Sequence, residues 1–293
     1  MRRMYLALLL SVATGLVAQQ RDFSKVEVRA EKVAGNIYML TGAGGNIGAS
    51  VGDDGIIIID DQYAPLAPKI ETALRLITPK PVRFILNTHY HGDHTGGNEH
   101  FGKSAPIVAH ENVRKRLASG VTVRGNAVPA APAGALPVVT FNDSVTLHLN
   151  GEEVRAVHTP HGHTDGDSVI WFMKSNVVHM GDQFFNANFP FVDTDNGGTV
   201  RGMIHNVDEV LALIPDDAKV IPGHGPLSDK NGLRRFGAML KATSAAVEAG
   251  IGAGKSLDQL RSEKVLAAWD SWGQGFIKTD DWIGTLHGEL VKR

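Results

Sequence analysis

The residues best able to do chemistry in this 293-residue chain are its histidines. There are 13 of them, and His89, His91, His94, His158, His161 and His163 fall in two short windows. The first window, Thr88 to His94, reads T-H-Y-H-G-D-H and follows the apolar run Phe84-Ile85-Leu86 directly. Three imidazoles and the Asp93 carboxylate are thus delivered at a strand end, where sites of α/β proteins are built. Neutral imidazole nitrogen and carboxylate oxygen both bind zinc, and this loop offers more ligands than one tetrahedral ion needs, so two metals are expected. The second window, H-T-P-H-G-H-T-D-G-D, also follows a strand. There His158 reads as a buried, hydrogen-bonded imidazole at the strand end. Two more turns follow apolar runs: Gly181-Asp182 after Val177 to Met180, and Gly223-His224-Gly225-Pro226 after Val220 to Pro222. Each alone is an ordinary turn.

Together the four turns resemble the metallo-β-lactamase superfamily, whose members carry H-x-H-x-D-H, a later His, an Asp in a Gly-Asp turn and a final His in a Gly-His turn. The resemblance runs from about Ile37 to the helix after Ser228. It implies an α/β (α+β) protein with an αββα sandwich of two mixed sheets and helices on the outer faces. It also implies two zinc ions per chain, one on His89, His91 and His163, the other on Asp93, His94 and His224, with Asp182 bridging. Asp60, ending the Ile56 to Ile59 run, is similar to the family carboxylate that orients a ligand imidazole.

The sequence departs from the family pattern in two places. One extra residue in Thr159-Pro160-His161-Gly162-His163-Thr164 lets His161 compete for the role of His163. The family's His-Thr-x-Gly follows as His163-Thr164-Asp165-Gly166, which favours His163. Asp182 stands where the best-known β-lactamases carry Cys, and Asp there is typical of the glyoxalase, lactonase and phosphodiesterase branches. The activity implied is opening of a β-lactam amide by a metal-bound hydroxide, with Asp93 orienting it or passing its proton to the leaving atom. The alternatives are a lactonase, thioesterase or phosphodiesterase of the same fold, or a single iron on His89, His163 and Asp182, as in the superfamily's sulfur dioxygenases. Retention of His94 and His224 speaks against iron. A non-enzymatic zinc carrier fits less well than a working dinuclear site. The partner is a small-molecule substrate, read by loops over Thr41 to Ser50 and Phe184 to Gly198, with Asn46, Asn186 and Asn188 as candidate contacts.

The elements that must position these residues alternate. Strands are expected at Val26 to Val33, Asn36 to Leu40 and Gly55 to Asp60, a helix at Ala67 to Leu76 and a strand at Arg83 to Asn87. Pro106 to Ala109 reads as a strand, Glu111 to Leu117 as a helix and Ser119 to Pro137 as a loop. Paired strands follow at Ser144 to Leu149, Val154 to His158, Ser168 to Met173 and Asn176 to Met180. A helix over Arg201 to Leu213, a strand at Lys219 to Pro222 and a long helix capped by Ser228 complete the alternation. The segment from about residue 255 to 293 opens on a capping pattern, Ser256 with Gln259, and carries Trp269, Trp272 and Trp282, whose role reads as packing.

Composition removes other classes. The hydrophobic share of 43% and charged share of 20% describe a globular chain able to bury a core. The net charge of −2 offers no basic field for nucleic acid. Cysteine is absent, which excludes disulfides, thiolate nucleophiles and sulfur-ligated zinc. Residues 1–18 read as a signal peptide, with Arg2 and Arg3 before an apolar run from Leu6 to Val17 that is too short to span a bilayer comfortably. A periplasmic protein of one domain over residues 19–293, with no membrane segment in its mature form, is expected.

Overall fold

Consecutive side chains on a strand face opposite sides of a sheet, so the unbroken run Ile56 to Ile59 needs apolar partners on both. It has them in the computed structural model, which describes residues 22–292. Ile57 and Ile59 pack with residues of a second sheet, whereas Ile56 and Ile58 pack beneath a helix. The signal peptide expected over residues 1–18 lies outside the described residues.

In chain order, β1 (Arg29–Ala34), β2 (Ile37–Thr41), β3 (Ile47–Gly52), β4 (Gly55–Ile59), β5 (Val82–Leu86) and β6 (Ile107–His110) form the first sheet. A separate hairpin follows, β7 (Val121–Val123) with β8 (Asn126–Val128), and β9 (Val139–Phe141) then returns beside β6. The second sheet takes β10 (Ser144–Leu149), β11 (Glu152–His158), β12 (Ser168–Phe172), β13 (Val177–His179), β14 (Lys219–Ile221) and β15 (Ser228–Asp229), again in order. Both sheets are mixed: β1 to β4 are antiparallel and β4, β5, β6 and β9 parallel, while the second sheet is antiparallel apart from β13 with β14.

Helices α1 (Ala67–Ile77), α2 (Gly92–Thr95), α3 (Asn98–Phe101) and α4 (Glu111–Ser119) belong to the first half. In the second half come α5 (Val200–Leu213), α6 (Lys230–Gly252), α7 (Leu257–Ser262) and α8 (Thr279–Leu290). Ile70 and Leu74 of α1 cover Ile56 and Ile58. Met203 and Val207 of α5 and Phe236 and Leu240 of α6 cover Val178 and Val220 of the second sheet. Between the sheets lie Met39, Ile57 and Leu86 on one side and Val154, Ile170 and Phe172 on the other. The result is the αββα sandwich. Trp282 of α8 is fully buried in the outer layer of the second half, stacked on Phe189 and donating its indole N–H to Thr243. The capping box at Ser256 is present, with Gln259 reciprocating.

Several expectations are corrected. The stretch Thr41 to Ser50, read as a loop, contains most of β3, because its Gly, Ala and Ser lack the bulk that marks a strand; Gly48 is small because a Cβ there would lie 2.9 Å from the His179 ring. The loop read over Ser119 to Pro137 contains the hairpin, whose two-residue turn has Arg124 at φ +50° and Gly125 at φ +77°, the signs of a type I′ turn. β9 was not expected, and β1 begins at Arg29 rather than Val26. Asp229, not Ser228, caps α6: its carboxylate accepts from Gly232 N–H at 2.9 Å, and Ser228 pairs with Val220.

Candidate metal centre

Four loops at the ends of β5, β11, β13 and β14 bring His89, His91, Asp93, His94, His163, Asp182 and His224 to one place. They form two groups: His89, His91, His163 and Asp182, all buried, and Asp93, His94 and His224. In the first, His91 Nδ1 lies 3.1 Å from His89 Nε2 and 2.8 Å from His163 Nε2. In the second, His224 Nε2 lies 3.4 Å from His94 Nε2 and 3.5 Å from Asp93 Oδ2. Asp182 stands between them. Its Oδ2 is 3.4 Å from His163 Nε2 and 3.8 Å from His89 Nε2, and its Oδ1 is 3.1 Å from His94 Nε2 and 3.4 Å from His224 Nε2.

The outer nitrogens of four imidazoles fix which nitrogen faces inward. His163 Nδ1 is 2.8 Å from the Phe191 carbonyl, His94 Nδ1 is 2.7 Å from Asp60 Oδ2, and His91 Nε2 is 2.9 Å from Asp193 Oδ2. These oxygens only accept, so each outer nitrogen donates. Thr88 gives its hydroxyl proton to Asp60 at 2.7 Å and accepts from His89 Nδ1 at 3.0 Å. In their neutral forms all four imidazoles therefore turn a lone pair inward, and Asp182 Oδ1 is buried without a hydrogen-bond donor. Acceptors facing acceptors in a buried space call for a cation. The donors are nitrogen and oxygen throughout, which suits zinc. Two glycines make room: a Cβ on Gly223 would lie 2.1 Å from Asp182 Oδ1, and one on Gly45 2.1 Å from His94 Cε1.

Protonation follows the same logic. Burial, then the neighbouring His94, holds His89 well below the usual imidazole range, and burial pushes His163 down to about 4. Burial opposes the charge of Asp182, but His224, His94 and His163 outweigh it and keep the carboxylate ionised. Burial likewise opposes charge on His94, where Asp182, Asp60 and Asp93 prevail and raise its pKa well above the ordinary value. The positive charge favoured there is the one a cation would supply.

Asp60 is fully buried at φ +63° and also accepts from Thr88 N–H at 2.7 Å, so one carboxylate orients His94 and, through Thr88, His89. His161 is exposed and donates to the Gly197 carbonyl, away from the ligands. His158 donates to Asp167 O at 2.8 Å and stacks on His110, ring centroids 3.7 Å apart. The candidate contacts Asn46 and Asn186 are corrected. Asn46 spends its amide on the carbonyls of Pro222 and Gly225, and Asn186 spends its own on Pro226, so both brace the turn that carries His224. Asn188 alone of the three lines the cleft. Sequence reasoning missed Asp193 and Tyr90, whose hydroxyl donates to the same Asp193 oxygen that His91 meets. Asp193 sits in a loop beside an ordinary Thr-Asp-Asn turn, and nothing in its spacing distinguishes it.

Above the ligands opens a cleft of about 470 Å³, with His91, Asp93, Asp182 and His224 at its floor and Phe185, Phe191 and Phe276 among its walls. Ligands from four strand ends of an αββα sandwich, beneath such a cleft, define a candidate metal centre. The chain belongs to the metallo-beta-lactamase superfamily, whose profile matches residues 35–224. Members of that family bind metal in dinuclear sites. The chain is 31% identical over 144 residues to a hydroxyacylglutathione hydrolase of Nitrosococcus oceani, covering 48% of this chain and 47% of that protein. It is 28% identical over 197 residues to the 2,4-dinitroanisole O-demethylase subunit alpha of Nocardioides sp., covering 66% and 56%. The chain spans about half the length of the hydroxyacylglutathione hydrolases it matches. In fold it is similar to a metallo-beta-lactamase from Pontibacter korlensis (TM-score 0.61, 18% identity, 73% of this chain and 99% of that one). It is also similar to a sec-alkylsulfatase of Pseudomonas sp. (TM-score 0.65, 15% identity, 90% and 50%).

Proposed function

We propose that the protein is an exported dinuclear zinc hydrolase that opens the amide of a β-lactam. Asp182, which sets one oxygen toward each of two ligand groups, supports the dinuclear centre, and the observation that carries the β-lactam reading is the open, largely apolar cleft above those ligands. Two zinc ions bound there would lower the pKa of a shared water to near 7 and polarise a substrate carbonyl. His89, His91 and His163 would hold one, Asp93, His94 and His224 the other, and Asp182 both. Asp93 is about a quarter exposed at the cleft floor. Besides ligating, Asp93 would orient the attacking water or take its proton and return it to the leaving nitrogen. Phe185 and Phe191 line the cleft and would exclude bulk water from a bound ring. Export, expected from residues 1–18, would place the enzyme where β-lactams act.

Hydrolysis of an acyl thioester is the second reading, favoured by the 31% identity to a hydroxyacylglutathione hydrolase. The test incubates the zinc-loaded protein and its His89→Ala variant with a chromogenic cephalosporin, a penicillin and a carbapenem, alongside a lactone, a thioester and a phosphodiester. β-Lactam turnover well above the variant's rate is expected. Turnover of the thioester with none of the β-lactams overturns the first reading in favour of the second.

A further inference from the structure

The β7–β8 hairpin and the C-terminal segment, which meet where Arg124 lies over Phe276, both contribute walls to the cleft: Val123, Arg124 and Val128 from the first, Gly275, Phe276 and Ile277 from the second. The C-terminal wall lies beyond the family match, which ends at residue 224. Beyond Arg124 the space continues into a second cavity of about 300 Å³, and Arg124, Phe191 and Ile277 line both. Arg124 therefore stands at the junction. It is the only Lys or Arg among the residues lining the first cavity.

How Arg124 is held bears on what it does. The type I′ turn fixes its backbone, and Asn126 donates to its carbonyl at 3.2 Å. Its guanidinium lies over Phe276, 5.0 Å from the ring centroid, and 5.9 Å from that of Phe191. Such stacking positions a guanidinium without using its N–H donors, since the ring faces engage the cation's plane. The guanidinium makes no hydrogen bond or ion pair among the described residues and Arg124 is exposed, so its five donors are open to a ligand. Past it, the second cavity is lined by Asp193, Asp195 and Asp281 together with Arg261. The hairpin is also braced toward the metal ligands: Asn196 donates to Thr122 O at 2.8 Å and to both oxygens of Asp193, which meets His91.

We propose that Arg124 is a specificity-determining residue that binds a carboxylate of the substrate, with the reacting group over the metal ligands and the apolar body against Phe276 and Phe191. The substrate class is thus an amphiphilic monoanion whose carboxylate reaches Arg124 while its scissile carbonyl lies over the metal ligands. The proposal rests on the hydrolase reading only in taking the ligand floor as the place of reaction.

The test pairs each acid with its neutral form. Because Arg124 is at positive φ, Arg124→Asn keeps the turn favourable, and Arg124→Lys keeps the charge. A chromogenic cephalosporin and its methyl ester, and an acyl thioester of 3-mercaptopropionate and its methyl ester, are compared by kcat/KM. The acid-to-ester ratio should fall about tenfold in Arg124→Asn and recover in part in Arg124→Lys, the scale of one charge-assisted contact. Binding is measured separately by calorimetry with 4-phenylbutyrate and 4-phenylbutyramide, and their affinity ratio should fall likewise. A hairpin that merely collapses would weaken acid and neutral forms alike, and an unchanged ratio in both assays overturns the proposal. If no β-lactam turns over, the proposed activity fails, while the thioester pair and the calorimetry still decide the role of Arg124.

Discussion

Replacing Asp182 by Asn keeps the shape of the side chain and removes its charge, so the variant isolates the carboxylate's bridging position. In the native arrangement Oδ1 is 3.1 Å and 3.4 Å from His94 and His224, and Oδ2 is 3.4 Å and 3.8 Å from His163 and His89. An amide NH2 in either place cannot ligate a metal, and the remaining oxygen is neutral. Loss of a residue that only orients a ligand costs roughly 10- to 100-fold in metal affinity, so loss of the bridge should reach at least the upper end, about 100-fold. That corresponds to about 2.7 kcal/mol and, at roughly 2–4 °C per kcal/mol for a chain of this size, to melting about 5–11 °C lower in the zinc-loaded form. Without metal the loss persists in a different form, because the imidazoles of His224, His94 and His163 outweigh the burial of the native carboxylate, and removing one partner of a buried charged pair is itself destabilising. Calorimetry with zinc and with a chelator, together with metal content after dialysis, reads both effects. The reasoning is refuted if Asp182→Asn keeps two tightly held zinc ions and the native melting increment.

Asp60→Asn should weaken retention of both ions by about 10–100-fold, because one carboxylate orients His94 and the Thr88 hydroxyl behind His89; loss confined to one ion contradicts this. Asp193→Asn should weaken zinc retention by the same order, and Tyr90→Phe by less, since His91 keeps its acceptor when Tyr90 is shortened; equal losses on zinc titration would count against the scheme. Trp282→Ala should cost about 3–5 kcal/mol in urea unfolding, because the indole is fully buried and its N–H is bonded to Thr243, and a cost under about 1 kcal/mol contradicts it. N-terminal sequencing of periplasmic material should find a chain beginning near Gln19, and an intact Met1 in the cytosolic fraction refutes export.

What could be read from the sequence was what short-range pattern encodes. The ligand windows follow apolar runs, and both features survive without knowledge of the chain's path, so the strand ends of β5, β11, β13 and β14 and the residues after them were legible. Layer order followed from the alternating strands and helices. Elements built from small or mixed residues were not legible: β3 is set by its place between β2 and β4, and the hairpin carries Arg-Gly where Asn-Gly would have announced the turn. The partners of the ligands were the least legible. Asn46 and Asn186 sit in loops and read as polar groups free to meet a substrate, yet their amides are consumed by carbonyls of a turn further along the chain. Asp193 acquires its meaning only through contact with a histidine 102 positions away.

The ligands come from both halves of the sandwich. His89, His91, Asp93 and His94 follow β5 of the first sheet, and His163, Asp182 and His224 follow β11, β13 and β14 of the second. Because Asp182 reaches both groups, a loaded centre is a cross-link between the two sheets, closing chain from position 89 to position 224 as a covalent staple would. The chain has no cysteine with which to make such a staple. Metal capture would then be a fastening step for the finished fold, and the lifetime of the folded protein in a metal-poor compartment would be tied to the rate at which the metal leaves.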